Sequence, residues 1–221
     1  MIDRQRSGLV AELAIVVLVV VYGWFSVERL ILLLLIASQS LWLRGFGWSD
    51  LGLQKPASVS RTLIQAVAAA TVILVAVRFV IVPAAERLAG VPVDLSALGE
   101  GGDARAFSMR LAQAWTLAAF GEEMVFRGYM IRRILDLIGE SSAARAAAIL
   151  ISSSLFGLAH GYQGWAGVIA TGSIGALLAI LYFVSRRNLW PLIVCHGLVD
   201  TVALSLIYFD RRSWLFPTEL G

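Results

Sequence analysis

Residues 164–184 read GWAGVIATGSIGALLAILYFV, a run without a single charge. About 20 apolar residues span a bilayer as a helix, so this stretch reads as a membrane helix and decides the fold class. Its Gly167, Thr171 and Gly175 recur every fourth residue. Small residues at that spacing let helices approach closely, which gives them a packing role. Upstream, Ala143 to His160 is the next apolar segment. Before it, Ala106 to about Ile138 reads as one long helix or two abutting ones. Downstream, the basic turn Arg186-Arg187-Asn188 leads into a last span from Leu189 to Phe209.

The N-terminal half continues the pattern. Leu9 to Val27 is a first span, and Glu28-Arg29 is expected to turn tightly into a short second one, Leu30 to Leu43. A Gly- and Trp-rich stretch, Arg44 to Pro56, suits the membrane interface. Leu63 to Val82 is a further span, and Pro83 to Asp103 reads as the longest polar loop, acidic in character. The basic N-terminus followed by an apolar run has the charge order of a signal peptide. It lacks a small-residue cleavage site and is read as a retained helix.

Composition agrees. Hydrophobic residues make up 59% of the chain, against about 45–50% in soluble domains. The expected architecture is an all-α, polytopic transmembrane helix bundle of about seven or eight helices with an intramembrane polar cavity. It forms one integral membrane domain over residues 1–221, with N-terminal helices and loops over 1–104 and a catalytic helical core over 105–210. The basic residues lie at helix ends and form no contiguous face, so nucleic acid is not an expected partner; membrane lipid is. The single cysteine, Cys195, excludes an intramolecular disulfide and a Cys-rich metal site.

Loop charges orient the bundle. Arg4, Arg6, Arg44, Lys55, Arg61, Arg132, Arg133, Arg145, Arg186 and Arg187 fall on one side, and Glu86, Asp94, Glu100 and Asp103 on the other. This favours a cytoplasmic N-terminus in a plasma (inner) membrane.

Three polar clusters interrupt the apolar spans: Glu122-Glu123-x-x-x-Arg127, Phe156-x-x-x-His160 and His196-x-x-x-Asp200. A charge near the bilayer centre costs roughly 2.5–3.5 kcal/mol on insertion scales, so these positions point to chemistry. Glu123 and Arg127 share a helix face at i, i+4 and can pair. Glu122, rotated about 100° away, is left available as a general base. His196 and Asp200 also share a face, so the carboxylate can fix the imidazole tautomer. The Phe156 ring, on the face of His160, can wall the site from lipid. Counting helical rise from a basic, cytoplasmic interface puts Glu122 roughly 15 Å deep and His196 about 12 Å, in a common cavity expected to open to the cytoplasm. The plainer alternative is polar glue between helices. There is no His-Glu-x-x-His zinc motif. Adjacent Cys195 and His196 do not face each other on a helix, and Ser152, Ser153 and Ser154 are expected to bond back to their own helix.

At these residues the chain resembles the CPBP family of intramembrane proteases, which includes the CAAX prenyl protease 2 (Rce1-type) enzymes and abortive-infection proteins. The resemblance rests on Glu122-Glu123-Met-Val-Phe-Arg127-Gly128, on Phe156-Gly-Leu-Ala-His160, and on Leu189-Trp-Pro-Leu-Ile-Val-Cys-His196-Gly-Leu-Val-Asp200. Trp48-x-x-Leu-Gly-Leu before Pro56 is similar to the family's bacterial members. Asp200 departs from the asparagine usual in the prenyl-protein enzymes. The resemblance implies an endopeptidase acting in the membrane on a membrane-anchored or prenylated, CAAX-type peptide. Carried over, Glu122 activates water and His160 helps hold it. His196 and Asp200 stabilise the oxyanion, Glu123 with Arg127 positions the base, and Phe126 joins Phe156 as cavity wall. The cofactor stays open. Glu122, His160 and His196 would make a two-His, one-carboxylate zinc set, and the same groups would serve a metal-free glutamate mechanism. Other readings are a non-catalytic membrane protein of immunity or scaffold type and a proton-coupled transporter.

Overall fold

The computed structural model describes residues 2–22, 26–99 and 101–217, and for residues 2–6 the backbone alone. The side chains of Arg4 and Arg6, residue Glu100, and the 23–25 part of the first expected span lie outside the described residues. Within them every regular element is helical. The long ones are α1 (Ile2–Val21), α2 (Val27–Leu43), α3 (Val59–Ala89), α4 (residues 104–138), α5 (Ser142–Ala159), α6 (Gly164–Val184) and α7 (Trp190–Tyr208). Four helices are long and apolar enough to cross a membrane: α3, α5, α6 with the turn before it, and α7.

Local chemistry fixes where helices begin. The Asp103 carboxylate accepts from the backbone N–H groups of Arg105 (2.9 Å) and Ala106 (3.0 Å) and starts α4. The Ser141 hydroxyl accepts from Ala144 N–H at 3.1 Å and starts α5. Each satisfies orphan donors of a first turn. Pro191 opens α7, where a missing N–H costs nothing.

Two expectations are corrected here. Glu28 and Arg29 are not a turn; they stand in the first turn of α2. Pro83 does not end the third span. Residues Val77–Ile81 are wound as a π-helical turn, and the helix continues from Val82 to Ala89 before Gly90 stops it at φ +69°. A proline normally clashes with the carbonyl one turn back, and a widened turn there relieves the clash. Glu86 therefore lies buried on a helix, accepting from Val93 N–H at 3.1 Å, rather than in an acidic loop.

Turn contacts define the two ends of the bundle. At one, Leu189 N–H donates to Gly52 carbonyl at 2.9 Å and Arg187 pairs with Glu140. The 44–58 segment, the α4–α5 turn and the α6–α7 turn thus meet there. Gly52 adopts φ +108°, and a Cβ on it would fall 2.0 Å from the Arg187 carbonyl oxygen, so only glycine fits. At the other end, Asp94 N–H donates to Gln163 carbonyl and Gly102 N–H to Tyr208 carbonyl, both at 3.0 Å. The 90–103 loop, the α5–α6 turn and the end of α7 meet there.

The closest helix pair is α5 with α6. A Cβ at Gly157 would sit 2.4 Å from Val168 carbonyl oxygen and 3.0 Å from Gly172 Cα, so this glycine lets the two backbones touch.

Candidate active site

The middle of α4, Ala114–Met130, is wound as a π-helix. Such winding is rare in long runs and recurs at functional sites. Every residue from Gly121 to Met130 is buried, including Glu122, Glu123 and Arg127. Glu123 and Arg127 form an ion pair, Nη1 to Oε1 at 2.8 Å, with both side chains essentially inaccessible. Arg127 Nη2 donates to the Gly175 carbonyl at 3.1 Å, and the guanidinium lies 4.2 Å from the centre of the Phe156 ring. Gly175 gives them room: a Cβ there would fall 2.9 Å from Phe156 Cδ1 and 3.2 Å from Arg127 Nη2. Of the small residues spaced along α6, Gly175 therefore packs against the polar cluster itself, whereas Gly167 and Thr171 face Gln163.

Glu123 carries a second partner. Its Oε1 also accepts from His196 Nδ1 at 2.8 Å, across from α4 to α7. The carboxylate that fixes the His196 ring is thus Glu123, from another helix, and not only its own-helix neighbour. Asp200 stands 3.5 Å from His196 Nε2, and Glu122 Oε2 stands 4.0 Å from the same nitrogen. Glu122 Oε2 is buried and has no hydrogen-bond partner among the described residues. Glu122 and Glu123, neighbours in sequence, are therefore in opposite situations, one tied twice and the other left facing open space.

That space is a cavity of about 430 Å³. Glu122, His160, His196, Asp200 and Phe156 line it; Glu123 and Arg127 stand behind its wall. His160 Nδ1 is 2.8 Å from the Phe156 carbonyl, and its ring is 4.8 Å from the Phe156 ring. The remaining wall is largely apolar, with Leu30, Ile73, Val77, Leu178 and Leu204 among its residues.

Three expectations change at this point. Phe126 is fully buried behind Phe156, packed edge-on at 5.1 Å, and does not reach the cavity. The cavity extends toward the end opposite the one expected: Val93, Leu95, Leu98, Tyr162 and Phe216 line it, all from the 90–103 end and not from the end with the basic turns. His160 follows Ser142 by about 18 residues, roughly 27 Å of helix, nearly a whole crossing. It therefore belongs to the far end. Finally, among the described residues no three His, Cys, Asp or Glu side chains gather as a metal-ligand group. Both imidazoles lie against the Phe156 ring, at 4.8 and 6.2 Å. Glu122, His160 and His196 are thus not drawn together as the zinc set the sequence left open.

Other polar residues join without having been expected. Tyr162 lines the cavity with its ring 5.7 Å from His160, and Gln163 Nε2 donates to its hydroxyl at 3.3 Å. Nearer the other end, Glu12 of α1 accepts from Ser40 and Tyr129 and pairs with Arg44 at 2.7 Å. The readable signal was Glu12 itself, a carboxylate inside the first apolar run.

Residues 105–202 match the family described as Type II CAAX prenyl endopeptidase Rce1-like. No curated protein and no solved structure matches the chain. The matched segment begins at the start of α4 and ends two residues past Asp200, so it contains all three polar clusters. With its four apolar helices, the chain is an integral membrane protein. Over residues 105–202 it is similar to the Rce1-like type II CAAX prenyl endopeptidases.

Proposed function

We propose that this protein is an intramembrane endopeptidase that hydrolyses a peptide bond in a membrane-anchored or prenylated peptide by a glutamate-activated water. The observation that carries the reading is the buried, unpartnered Oε2 of Glu122, facing the cavity 4.0 Å from His196 Nε2. That gap is too wide for a direct hydrogen bond and suits a bridging water. Glu122 takes a proton from this water, whose oxygen attacks the scissile carbonyl carbon. The carbonyl oxygen becomes the oxyanion of a tetrahedral intermediate. His196, held as the imidazolium between Glu123 at Nδ1 and Asp200 beside Nε2, donates to it from Nε2. His160 helps hold the water. When the C–N bond breaks, Glu122 returns the proton to the leaving amine. Arg127 neutralises Glu123, so that two adjacent glutamates can serve different ends.

We assign the catalytic core to residues 105–210, because every polar group of this scheme comes from α4, α5 and α7. Residues 1–104 contribute apolar wall at Leu30, Ile73, Val77 and Val82. That wall suits the lipid chain of an anchored substrate. We assign the protein to the plasma membrane, and the basic loops at the 44–58 end support a cytoplasmic N-terminus. The site then faces away from the cytoplasm.

The test is purified protein in lipid vesicles with membrane-anchored peptides, the products read by mass spectrometry. New peptide termini are the expected result. Intact peptide throughout would overturn the reading and leave a scaffold; proton-driven movement of intact substrate would point to a transporter.

A further inference from the structure

Arg110 lines the cavity but has no part in the chemistry above. It stands on the first section of α4, Ala104–Gln113, toward the 90–103 end. Its guanidinium lies flat against Gly99. A Cβ at that residue would fall 2.0 Å from Arg110 Nη2 and 2.4 Å from Cζ. Gly99 has φ +77°, a conformation that other residues rarely adopt. The loop thus leaves a seat into which only a glycine backbone allows the guanidinium. Among the described residues, Arg110 forms no side-chain hydrogen bond or ion pair. It is the one arginine, with no lysine, among the described residues of the cavity wall. The carboxylates of that wall, Glu122 and Asp200, belong to the site on α4 and α7.

A guanidinium is always charged and presents a planar fork of donors that matches a carboxylate. Leaving such a fork unpaired in a half-buried wall is costly unless a ligand completes it. Resting on the protease reading above, we propose that Arg110 anchors the C-terminal carboxylate of the peptide substrate. The cavity is then polarised, with carboxylates at the cutting end and a cation at the other. A peptide entering with its free C-terminus toward Glu122 meets like charge, and one seated on Arg110 meets opposite charge.

The anchor also sets a length. Arg110 precedes Glu122 by about 12 residues, at most about 18 Å of helix. An extended peptide covers about 3.3 Å per residue. A substrate held at Arg110 is therefore cut within about five residues of its C-terminus.

The experiment uses the full chain in phosphatidylcholine vesicles, with one membrane-anchored peptide made as the free acid, as the C-terminal amide, and with ten residues added at the C-terminus. Wild type is expected to favour the free acid over the amide about 10- to 100-fold in kcat/KM, mostly through KM, the range of a hydrogen bond to a charged group. It also favours the acid over the extended peptide. Arg110→Gln is expected to cleave acid and amide equally slowly, and Arg110→Lys to keep part of the preference. Thermal unfolding checks that each variant is folded. Gly99→Ala, which displaces the guanidinium from its seat, is expected to lose the preference as well. Equal cleavage of acid and amide by wild type overturns the anchor, as does a preference that survives Arg110→Gln. A rate that follows added phosphatidylglycerol and ignores the peptide terminus assigns Arg110 to lipid phosphate and also overturns it. Failure of the protease reading is distinct: wild type then cleaves no peptide of any form, whereas an active enzyme loses acid and amide together on Glu122→Gln.

Discussion

Glu123→Gln separates the two duties of Glu123, which neutralises Arg127 and orients His196. The Arg127 guanidinium is 1% exposed, and its ion pair at 2.8 Å is with this carboxylate. Removing one partner of such a pair costs about 3–5 kcal/mol, because the other charge is left buried. For a chain of this length each kcal/mol moves Tm by about 2–4 °C, so the variant should unfold about 6–20 °C lower. Arg127→Met should do the same from the other side. The double variant, Glu123→Gln with Arg127→Met, leaves no uncompensated charge. Replacing a buried pair by neutral groups is often close to neutral, so most of the lost stability should return. Activity should not return with it. His196 Nδ1 would face an amide in place of a carboxylate, and a wrongly held imidazole costs at least about 10²-fold in a hydrolase. Tryptophan-fluorescence unfolding in detergent and peptide cleavage in vesicles read the two quantities separately. A double variant as unstable as the two single losses added together would refute the pairing argument. One that is stable and fully active would refute the orienting role of Glu123.

Gly175→Ala should lower activity with a modest stability loss, about 1–3 kcal/mol, since its Cβ would push on both Phe156 and Arg127; cleavage rate and Tm measured together check it. Gly157→Ala should destabilise more, because its Cβ meets backbone, the Val168 carbonyl at 2.4 Å, and cannot be relieved by a rotamer change; the readout is Tm. At the α4–α5 turn, the hydrogen bond from Arg187, with the charges of Arg187 and Arg145, holds the Glu140 carboxyl below the usual carboxylate range. A depressed carboxylate contributes stability above its ordinary value, near about 4.3, and loses it as pH falls through the lowered one. Glu140→Gln should therefore flatten the acid limb of the stability profile, by under about 1 kcal/mol because the pair is partly exposed.

The apolar spans were legible because length and lack of charge suffice for them. Gly164–Val184 is helical over the same residues that the sequence marks as a span. The i, i+4 pairing of Glu123 with Arg127 was legible for the same local reason. Contacts between helices were not. That Glu123 reaches His196 depends on how α4 packs against α7, and sequence spacing pointed instead to Asp200 on the same helix. The π winding of Ala114–Met130 and of Val77–Ile81 has no composition signal, so the helix running on through Pro83 to Ala89 was missed. The direction of the cavity was misjudged because all depths were counted from one interface, while His160 lies almost a full crossing away from it. Glu12 could have been found, since a lone carboxylate in an apolar run needs partners; that they would be Ser40, Tyr129 and Arg44 could not.

The central claim is that Glu122 is the general base of a peptide hydrolase. The most direct measurement is the cleavage rate of one membrane-anchored peptide by wild type and by Glu122→Gln in the same vesicles, both shown folded by thermal unfolding. The amide keeps the shape of the side chain and cannot take the proton from water. A positioned base is worth about 10²–10⁴-fold, so the variant should cleave at least about 100 times more slowly with its Tm unchanged or raised. Cleavage by Glu122→Gln at the wild-type rate would contradict the account.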